Sequence, residues 1–533
     1  MVLTGGKVFT ADSTRPWAEA VAIRGEHILA VGTTADIERL VGSETRRIAL
    51  GGRTVVPGFN DAHDHVGFGG VDGVRVIVEP SPAPDPPLTI LLDSITAAAR
   101  RVTAGTWLLS APGGRVFDDP SATRVVLDSV APAHPLWLRG WTGHGVVSNT
   151  AALRALGLLD APDPSGGWLS RDARGTLTGR VDEYAIFGVE RRLAVARGDS
   201  LLGLVMHAHG EAGLRLGITT VQDMANQYDL ASARAVARRG GGMRARHRIV
   251  RFPITDMSGG RQADWRIAGA DTALTPMMHV SGVKWILDGT PVERLELLRH
   301  PYADRPGWYG RANFPFDTLR AILRDALARA EQPILHAGGD STIALVIAAM
   351  RAEASDSAWR RLRPRLEHAD ALARDQLKDV KSLGMVVVQN PTHLAFPELF
   401  IARFGAEGLR RIGLLRTLVD SGVPLAFGSD GPREPGLNIM FATIHPNVPS
   451  EALSREQAVV VYTRGSAYAE FAEGEKGTLA PGMLADLAVL SQDIFSVPPQ
   501  ALPATTSVLT LIGGRIVHDS LTGSGRSSIP PRR

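Results

Sequence analysis

The sequence contains no cysteine. Disulfide bonds, thiolate metal sites and cysteine nucleophiles are therefore excluded, and any metal must be bound by histidine, aspartate, glutamate or a modified lysine. The chain also lacks an apolar run of about 18 residues that could span a bilayer. Its first residues, MVLTGGKVFTADS, contain no apolar leader segment. We therefore expect no membrane association and a cytoplasmic location.

Lysine is scarce, because five lysines stand among the 58 lysine and arginine residues. Where this chain needs a generic cation it uses arginine, so a lysine within an apolar predicted strand, Lys284, needs a chemical reason. A buried amine can be neutral. A neutral amine can react with CO2 to give a carbamate, which is a carboxylate able to bridge two metal ions. Without that change, a cationic amine would repel a nearby metal ion.

Positively and negatively charged residues are nearly equal in number. The 58 lysine and arginine residues face 55 aspartate and glutamate residues, and the formal net charge is +3. No block of basic residues stands out, whereas a nucleic-acid-binding surface normally needs clustered positive charge. We therefore expect a small-molecule substrate and no nucleic-acid partner, and a homodimer is left open.

The two ends of the chain share one pattern. Residues 1–56 and 473–533 contain short runs that alternate apolar and polar residues between glycine-containing turns, which is typical of β-strands. Because these runs flank a long middle segment of different character, we predict that both ends form one small β-sandwich domain.

The middle of the chain, residues 57–472, alternates apolar runs with amphipathic segments. The eight predicted strands are TVVPGFN, GITTVQDM, RHRIVRF, HVSGVKWIL, QPILHA, RPRLEHA, GMVVVQN and VPLAFGS. Eight such units predict an α/β fold of the (β/α)8 TIM-barrel type. Residues 67–215 separate the first strand from the second, which predicts a large inserted lid or substrate-binding region over the barrel mouth.

Six polar side chains lie at or near the ends of these predicted strands: His63, His65, Lys284, His336, His368 and Asp430. Functional residues of such barrels lie at the carboxyl ends of strands. Residues two positions apart on a strand face the same way, so His63 and His65 can bind one metal ion. A single histidine is more often structural, and an aspartate after Gly-Ser is often a helix cap. The coincidence of all six at comparable positions favours a metal site.

The stretches around these residues resemble the amidohydrolase superfamily, and more closely its amidohydrolase-3 branch, which includes N-substituted formamide deformylases. The similar stretches follow the family's order over nearly the whole chain: PGFNDAHDH (57–65), GHGVVSNTAAL (143–153), GWLSRDARGTLTGRVDE (167–183), LGITTVQD (216–223), VKWILDGT (283–290), HAGGD (336–340), RPRLEHA (363–369), QNPTH (389–393), GSDGP (428–432) and GTLAPGMLADLAVL (477–490). The chain departs from the branch's usual pattern after DGT and within HAGGDST, so the resemblance does not define the substrate.

The resemblance implies a metal-dependent hydrolase of a C–N bond other than a peptide bond, of the amide, N-acyl or N-formyl type. It implies two metal ions, for which zinc is expected. The more buried ion would be bound by His63, His65 and Asp430, the second ion by His336 and His368, and a carboxylated Lys284 would bridge the two.

The resemblance also implies roles in catalysis and substrate binding. Asp430 would act as general base on the metal-activated water. His393 would polarise the substrate carbonyl, contact the substrate, or contact the metal-binding residues without touching metal or substrate. His144, Asn149 and Glu183 lie in the similar stretches and are candidate substrate contacts, with packing or turn roles as the alternative. From their positions alone, Trp285 beside Lys284 could form an apolar pocket wall, and Arg433 after the Asp430 loop could grip a substrate carboxylate or be merely exposed.

Two alternatives stay open beside this interpretation. A mononuclear deaminase or cyclic-amide hydrolase could use the same barrel, although the lysine in the fourth strand argues against it. A catalytically inactive barrel kept for binding is an alternative of a different class. The complete set of ligand residues argues against that one, since an inactive relative is free to lose its ligands.

Overall fold

A barrel of eight parallel strands forms the centre of the protein. The computed structural model describes residues 1–67, 73–76, 85–255 and 273–521. The barrel strands, numbered 1 to 8 in chain order, are Phe59–Asp64, Ile218–Ala225, Arg246–Arg251, Met278–Ile286, Pro333–His336, Arg365–Glu367, Val386–Gln389 and Leu425–Phe427. Each pairs in parallel with the next one in sequence. The predicted (β/α)8 fold is therefore confirmed.

The barrel strands are apolar because both of their faces are covered. In strand 7, Val386, Val387 and Val388 are all fully buried, as expected for a parallel strand between a core and a layer of helices. The first and last strands meet at their carboxyl ends, where the backbone N–H of Asp430 donates to the carbonyl oxygen of His63 at 2.9 Å. This contact brings the residues that follow strand 8 next to those that end strand 1.

Helices follow the barrel strands and surround them. Their bounds are Asp199–Arg215, Leu230–Arg238, Phe316–Arg329, Asp340–Glu353, Asp356–Leu362, Leu377–Ser382, Pro397–Leu409, Leu415–Ser421, Pro435–Ile444, Arg455–Val460 and Ser466–Ala469. A short strand, Ala273–Thr275, pairs antiparallel with strand 4. Within the described part of the chain, no helix combines the length and apolar character needed to cross a bilayer.

Both ends of the chain contribute to two further sheets. The four-stranded sheet has the order His27–Gly32, Ala20–Arg24, Val2–Thr4, Arg47–Ala49, beside the helix Thr34–Glu38. The six-stranded sheet has the order Arg515–Asp519, Ser507–Ile512, Leu487–Leu490, Thr54–Pro57, Lys7–Phe9, Trp17–Ala18. One buried cluster that includes Leu3, Leu487 and Leu509 joins the two sheets. We propose residues 1–56 and 473–533 as one domain, of which residues 522–533 lie outside the described part.

The first predicted strand, TVVPGFN, is divided in the structure. Its first half, Thr54–Pro57, pairs in the terminal six-stranded sheet, and barrel strand 1 begins only at Phe59. Gly58 joins the two halves at a close approach, because a Cβ atom there would lie 2.2 Å from Thr219 Oγ1. The turn between the terminal sheet and the barrel therefore requires glycine.

The predicted insertion, residues 67–215, contains a mixed six-stranded sheet of its own, and its residues 68–72 and 77–84 lie outside the described part. The sheet has the order Gly167–Arg171, Leu177–Glu183, Gly145–Ser148, Leu136–Arg139, Leu108–Ser110, Val74–Arg75. Its helices are Leu88–Ala99, Gly114–Asp118, Arg124–Val130, Thr150–Ala155 and Tyr184–Ala196. The last helix of the predicted insertion, Asp199–Arg215, instead packs beside barrel strand 2, and its Leu214 carbonyl accepts a hydrogen bond from Thr510 Oγ1 at 2.7 Å.

We predict that the C-terminal strands stabilise the whole protein. Leu511 is fully buried between the terminal sheets, so Leu511→Ala should lower the free energy of unfolding by about 2–5 kcal/mol through lost burial and a cavity. Thermal and denaturant unfolding measure this. The half-exposed Leu40 supplies the control variant Leu40→Ala, which should change stability little. Equal effects of the two substitutions would contradict the prediction.

Candidate metal centre

The six side chains predicted from the strand ends lie around one point at the barrel mouth. Asp430 Oδ1 lies 3.3 Å from His65 Nε2 and 3.7 Å from His63 Nε2, and Asp430 Oδ2 lies 3.8 Å from His368 Nε2. The ring centroids of His336 and His368 are 4.4 Å apart. One donor atom each from His63, His368 and Asp430 fall within 4.8 Å of one another, which is compatible with a shared metal ion.

Each imidazole is oriented by a hydrogen bond on one ring nitrogen. The Nδ1 atom of His65 lies 3.1 Å from the Met224 carbonyl oxygen, and that of His368 lies 2.8 Å from Asn390 Oδ1. In His336 the bonded atom is Nε2, which lies 3.2 Å from the Gly289 carbonyl oxygen. Such contacts fix the ring orientation and leave the other nitrogen for a metal, as is usual for histidine ligands.

His63 is oriented by a carboxylate that the sequence analysis did not identify. Its Nδ1 lies 2.5 Å from Glu367 Oε2, and the same carboxylate forms two hydrogen bonds with the guanidinium of Arg365 at 2.8 and 2.9 Å. All three side chains are fully buried. Although burial opposes its ionisation, Arg365 and His63 lower the pKa of Glu367 to about 2. The signal in the sequence was the spacing of Arg365 and Glu367, which lie two residues apart and therefore on one face of a short apolar strand.

Two of the candidate ligands require an unusual backbone conformation. His368 and Asp430 have φ angles of 67° and 44°, in the left-handed region that non-glycine residues rarely adopt. His368 directly follows Glu367, and the two would point to opposite faces of a regular strand. The turn at His368 allows Glu367 to face the barrel interior while the imidazole joins the cluster. Strain of this kind is commonly concentrated at functional sites.

The imidazoles of His63, His336 and His368 are neutral at physiological pH, as metal binding requires. Burial, followed by the nearby amine of Lys284, lowers the pKa of His63 to about 4. Burial also holds the pKa values of His336 and His368 well below the ordinary value for histidine. Burial opposes ionisation of Asp430, but its contacts with His63 and His65 hold its pKa well below the ordinary value.

Lys284 lies at the floor of the cluster. Its Nζ is 3.2 Å from His63 Nε2, and its side chain is 1% exposed. Burial lowers its pKa to about 8, and no carboxylate of the described residues lies within ion-pair distance of its Nζ. Burial thus makes the neutral fraction of this amine larger than that of an exposed lysine.

Two further histidines flank the cluster and have pKa values above the ordinary one. Burial opposes protonation of His144, but the Glu183 carboxylate, 3.1 Å from its Nδ1, raises the pKa. Burial likewise opposes protonation of His393, and Asp370, whose Oδ2 is 3.6 Å from Nδ1, raises its pKa. The Nε2 of His393 lies 3.9 Å from Asp430 Oδ2. Both histidines can therefore donate hydrogen bonds toward the cluster.

Three predicted substrate contacts lie elsewhere. Asn149 is fully buried and caps the helix Thr150–Ala155. Its Oδ1 accepts from two backbone N–H groups and its Nδ2 donates to two carbonyls, so no polar atom remains for a substrate. Trp285 alternates with Lys284 along strand 4 and packs on Tyr184 and Phe314, outside the barrel interior.

Arg433 is the third of these residues. Its Nη1 donates to the carbonyl oxygen of His209 at 3.1 Å, and its charge contributes to lowering the pKa of the neighbouring Asp64 carboxyl. It does not line either cavity beside the cluster. A role in gripping a substrate carboxylate is therefore not supported by its position.

Two cavities adjoin the cluster and share six lining residues: Trp141, Thr142, His144, His336, His368 and Asp430. The first, of about 600 Å³, opens toward the loops after strands 4, 6 and 7. The second, of about 860 Å³, includes His63, His65, Lys284 and Arg139. A molecule that reaches both would have its middle at the candidate metal ligands.

The chain is similar to known proteins in sequence and in fold. A profile described as "Amidohydrolase family" matches residues 46–518. The chain is 28% identical to Protein LONG AFTER FAR-RED 3 of Arabidopsis thaliana, over 97% of this chain and 91% of that protein. It is 26% identical to N-substituted formamide deformylase of Arthrobacter pascens, over 98% of this chain and 99% of that protein. A solved structure of a metal-dependent hydrolase from Pyrococcus horikoshii aligns with a TM-score of 0.68 at 20% identity, covering 94% of this chain and 99% of that one.

The buried Glu367 gives a testable consequence. Glu367→Gln removes the charge that balances Arg365, and breaking a buried ion pair typically costs about 3–5 kcal/mol of stability. Because His63 loses its anionic partner, zinc affinity should also fall by about 10- to 100-fold. Denaturant unfolding and metal titration measure the two effects. Glu407 forms a surface ion pair with Arg411, so Glu407→Gln should leave both quantities unchanged. Unchanged zinc affinity in a folded Glu367→Gln variant would refute the orienting role.

Proposed function

Because the chain belongs to the amidohydrolase family, we propose that it is a metal-dependent hydrolase of a C–N bond of the amide, N-acyl or N-formyl type. The observation that carries the proposal is the cluster of four histidines, Lys284 and Asp430 at the carboxyl ends of five barrel strands. The relative named N-substituted formamide deformylase, which matches over nearly the whole chain, supports the bond type.

The donor set fits divalent metal ions, and zinc best among them. Neutral imidazoles and carboxylates are borderline ligands that suit zinc, and the chain supplies them in a buried cluster with oriented rings. His63, His65 and Asp430 would hold one ion, and His336 and His368 the other. Bound zinc would lower the pKa of water to about 7 and polarise a carbonyl group.

Lys284 is proposed to be carboxylated and to bridge the two ions. Its neutral Nζ would attack the carbon of CO2 so that an N–C bond forms, and one N–H proton would leave to solvent, giving a singly charged carbamate. The support for this is the burial of Lys284, its distance of 3.2 Å from His63 Nε2, and the scarcity of lysine in the chain. A carbamate there would also remove the repulsion between an ammonium group and the ions.

Asp430 is proposed to be the general base. Its two carboxylate oxygens lie among His63, His65 and His368, so one oxygen can be a ligand while the other accepts a proton from the attacking water. It can then return that proton to the departing nitrogen. Each such proton transfer contributes about 10²–10⁴-fold to the rate.

The two histidines with raised pKa values are proposed to bind the substrate carbonyl. His393 stacks on His368 at a centroid distance of 5.4 Å, and His144 lies 4.7 Å from His336. As N–H donors on either side of the cluster they can stabilise negative charge on the carbonyl oxygen as it develops. Each would keep its orientation through its carboxylate partner, Asp370 or Glu183.

A hydrolysis screen tests the proposed function directly. Formamides, N-acyl amines, N-acyl amino acids and cyclic amides would be offered to the purified protein with added zinc. We expect turnover of at least one acyclic amide class. Zinc binding without hydrolysis of any class would favour a binding role for this barrel. Turnover limited to cyclic amides would favour the cyclic-amide alternative.

We predict that Lys284→Arg abolishes hydrolysis and lowers the metal content while the fold is retained. Arginine keeps the length and charge but cannot form a carbamate. Activity assays, elemental analysis and circular dichroism measure the three properties, and carbon-13 bicarbonate labelling would detect a carbamate signal in the wild type only. Lys381 is exposed and contacts the Ser421 carbonyl, so Lys381→Arg is the matched control. Full metal content and activity in Lys284→Arg would disprove the bridge.

We predict that Asp430→Asn lowers kcat by about 10²–10⁴-fold, with a smaller change in KM, because the amide keeps the shape but cannot accept the proton. Metal content must be measured in parallel, since lost metal would imitate a lost base. The exposed Asp420 supplies the control Asp420→Asn. Near-normal kcat in a metal-replete Asp430→Asn protein would exclude the general-base role.

A further inference from the structure

The first cavity beside the cluster combines an aromatic wall with acidic groups. Among the described residues that line it there is no lysine or arginine, whereas Glu296, Asp370 and Asp430 supply three carboxylates. Acidic side chains therefore outnumber the two flanking histidines of raised pKa, His144 and His393, around this cavity.

Glu296 is the unusual member of this wall. It lies in the loop after strand 4, it is 1% exposed, and its Oε2 has no hydrogen-bond partner among the described residues. Its carboxylate packs against Gly338, where a Cβ atom would lie 2.3 Å from Oε1. The glycine after His336 and Ala337 thus lets this carboxylate approach the end of strand 5. A buried polar atom without a partner is costly, so a bound ligand would relieve that cost.

No basic side chain of the described chain compensates Glu296. Burial, and then the carboxylates of Asp370 and Asp288, raise its pKa well above the ordinary value. Asp370 is itself 7% exposed and is approached by His393 Nδ1 at 3.6 Å. A ligand that carries positive charge would be stabilised by both carboxylates and would favour the ionised form of Glu296.

The rim of the same cavity is aromatic. Trp141 is 42% exposed and Phe396 is 38% exposed, and their ring centroids are 4.9 Å apart. Exposed aromatic faces attract cations that lack a tight hydration shell, and Phe400 continues the apolar surface inward. An aromatic entrance leading to the unpaired carboxylate of Glu296 is complementary to an organic ammonium group on an apolar chain.

The second cavity differs in charge. Its lining includes the guanidinium of Arg139, whose Nε pairs with Glu190 Oε1 at 2.7 Å, and the polar side chains of Asn226 and Gln227. The two sides of the cluster thus offer different environments. Trp141 lines both cavities, but among the described residues only the first also has the exposed ring of Phe396 and the unpaired carboxylate of Glu296. The first cavity is therefore the side at which a cationic group fits.

We propose that the first cavity binds an alkyl- or arylalkylammonium group of the substrate, with Glu296 and Asp370 as its counter-ions and Trp141 and Phe396 at its entrance. This proposal rests on the proposed hydrolase function, because the bound molecule is a substrate only if the protein hydrolyses it. The substrate class is then an amide that carries a second, basic nitrogen. Glu296 is then the residue that determines this specificity.

The first test measures hydrolysis by the zinc-loaded enzyme. Mono-N-acetylated α,ω-diamines would be compared with N-acetyl-n-alkylamines of the same chain length, and ω-aminoacyl amides with the corresponding unsubstituted acyl amides. We expect kcat/KM to favour the ammonium-ended member by about 10- to 100-fold in at least one series, and this preference to disappear in Glu296→Gln. Equal kcat/KM for both members of each pair would overturn the proposal.

The second test measures binding without hydrolysis. Binding of n-hexylammonium chloride and of n-hexanol would be compared by calorimetry on the wild type, Glu296→Gln and Phe396→Leu. We expect the ammonium ion to bind the wild type more tightly than the alcohol, and both variants to lose part of that difference. Equal binding of the two probes would overturn the ammonium site. Selective ammonium binding without any hydrolysis would support it while refuting the proposed hydrolase activity.

The matched control is a second buried glutamate. Glu451 is 2% exposed and is bonded to Thr417 and Arg374, away from the cavity. Glu451→Gln should leave the preference between ammonium-ended and methyl-ended amides unchanged. An equal loss of preference in Glu451→Gln would show that the Glu296 effect is a general consequence of altering a buried carboxylate, and would overturn the assignment.

Discussion

The buried ion pair between Arg365 and Glu367 is the interaction on which the candidate metal centre depends. Both side chains are fully buried inside the barrel. The Glu367 carboxylate also contacts the ring of His63, which lies at the end of strand 1. Charges without access to water are tolerated only when their hydrogen bonds are satisfied. Arg365 meets this condition through Glu367, Gln222 and the carbonyl oxygen of Ala62. The position of strand 1 relative to strand 6 is thereby fixed, and the ring of His63 with it.

The chemistry of the barrel mouth follows from this arrangement. The strand ends supply buried imidazoles of low pKa, an ionised Asp430 and a Lys284 whose pKa is lowered by burial. The residues proposed to recognise a substrate come from other parts of the chain. Glu183 and His144 belong to the insertion, while Glu296 and Asp370 follow strands 4 and 6. The metal ligands can thus stay unchanged while the surrounding loops alter the class of substrate.

The sequence predicts the barrel and the cluster well because both depend on local signals. Eight apolar runs mark the strands, and histidine, lysine or aspartate at their ends marks the site. The sequence does not predict the left-handed backbone of His368 and Asp430, which redirects their side chains. It also cannot show that the side-chain oxygen and nitrogen of Asn149 are both hydrogen-bonded within the protein, or that Trp285 faces away from Lys284. Those outcomes depend on distant partners such as Leu136, His134 and Phe314.

The central claim is that the cluster at the strand ends holds metal needed for hydrolysis. The most direct measurement is elemental analysis of the purified protein, followed by amide hydrolysis after removal of metal with a chelator and again after zinc is restored. We expect bound zinc, loss of hydrolysis on chelation and recovery on addition of zinc. Undiminished hydrolysis by the metal-free protein, or metal retained after His63, His368 and Asp430 are all replaced by alanine, would contradict it.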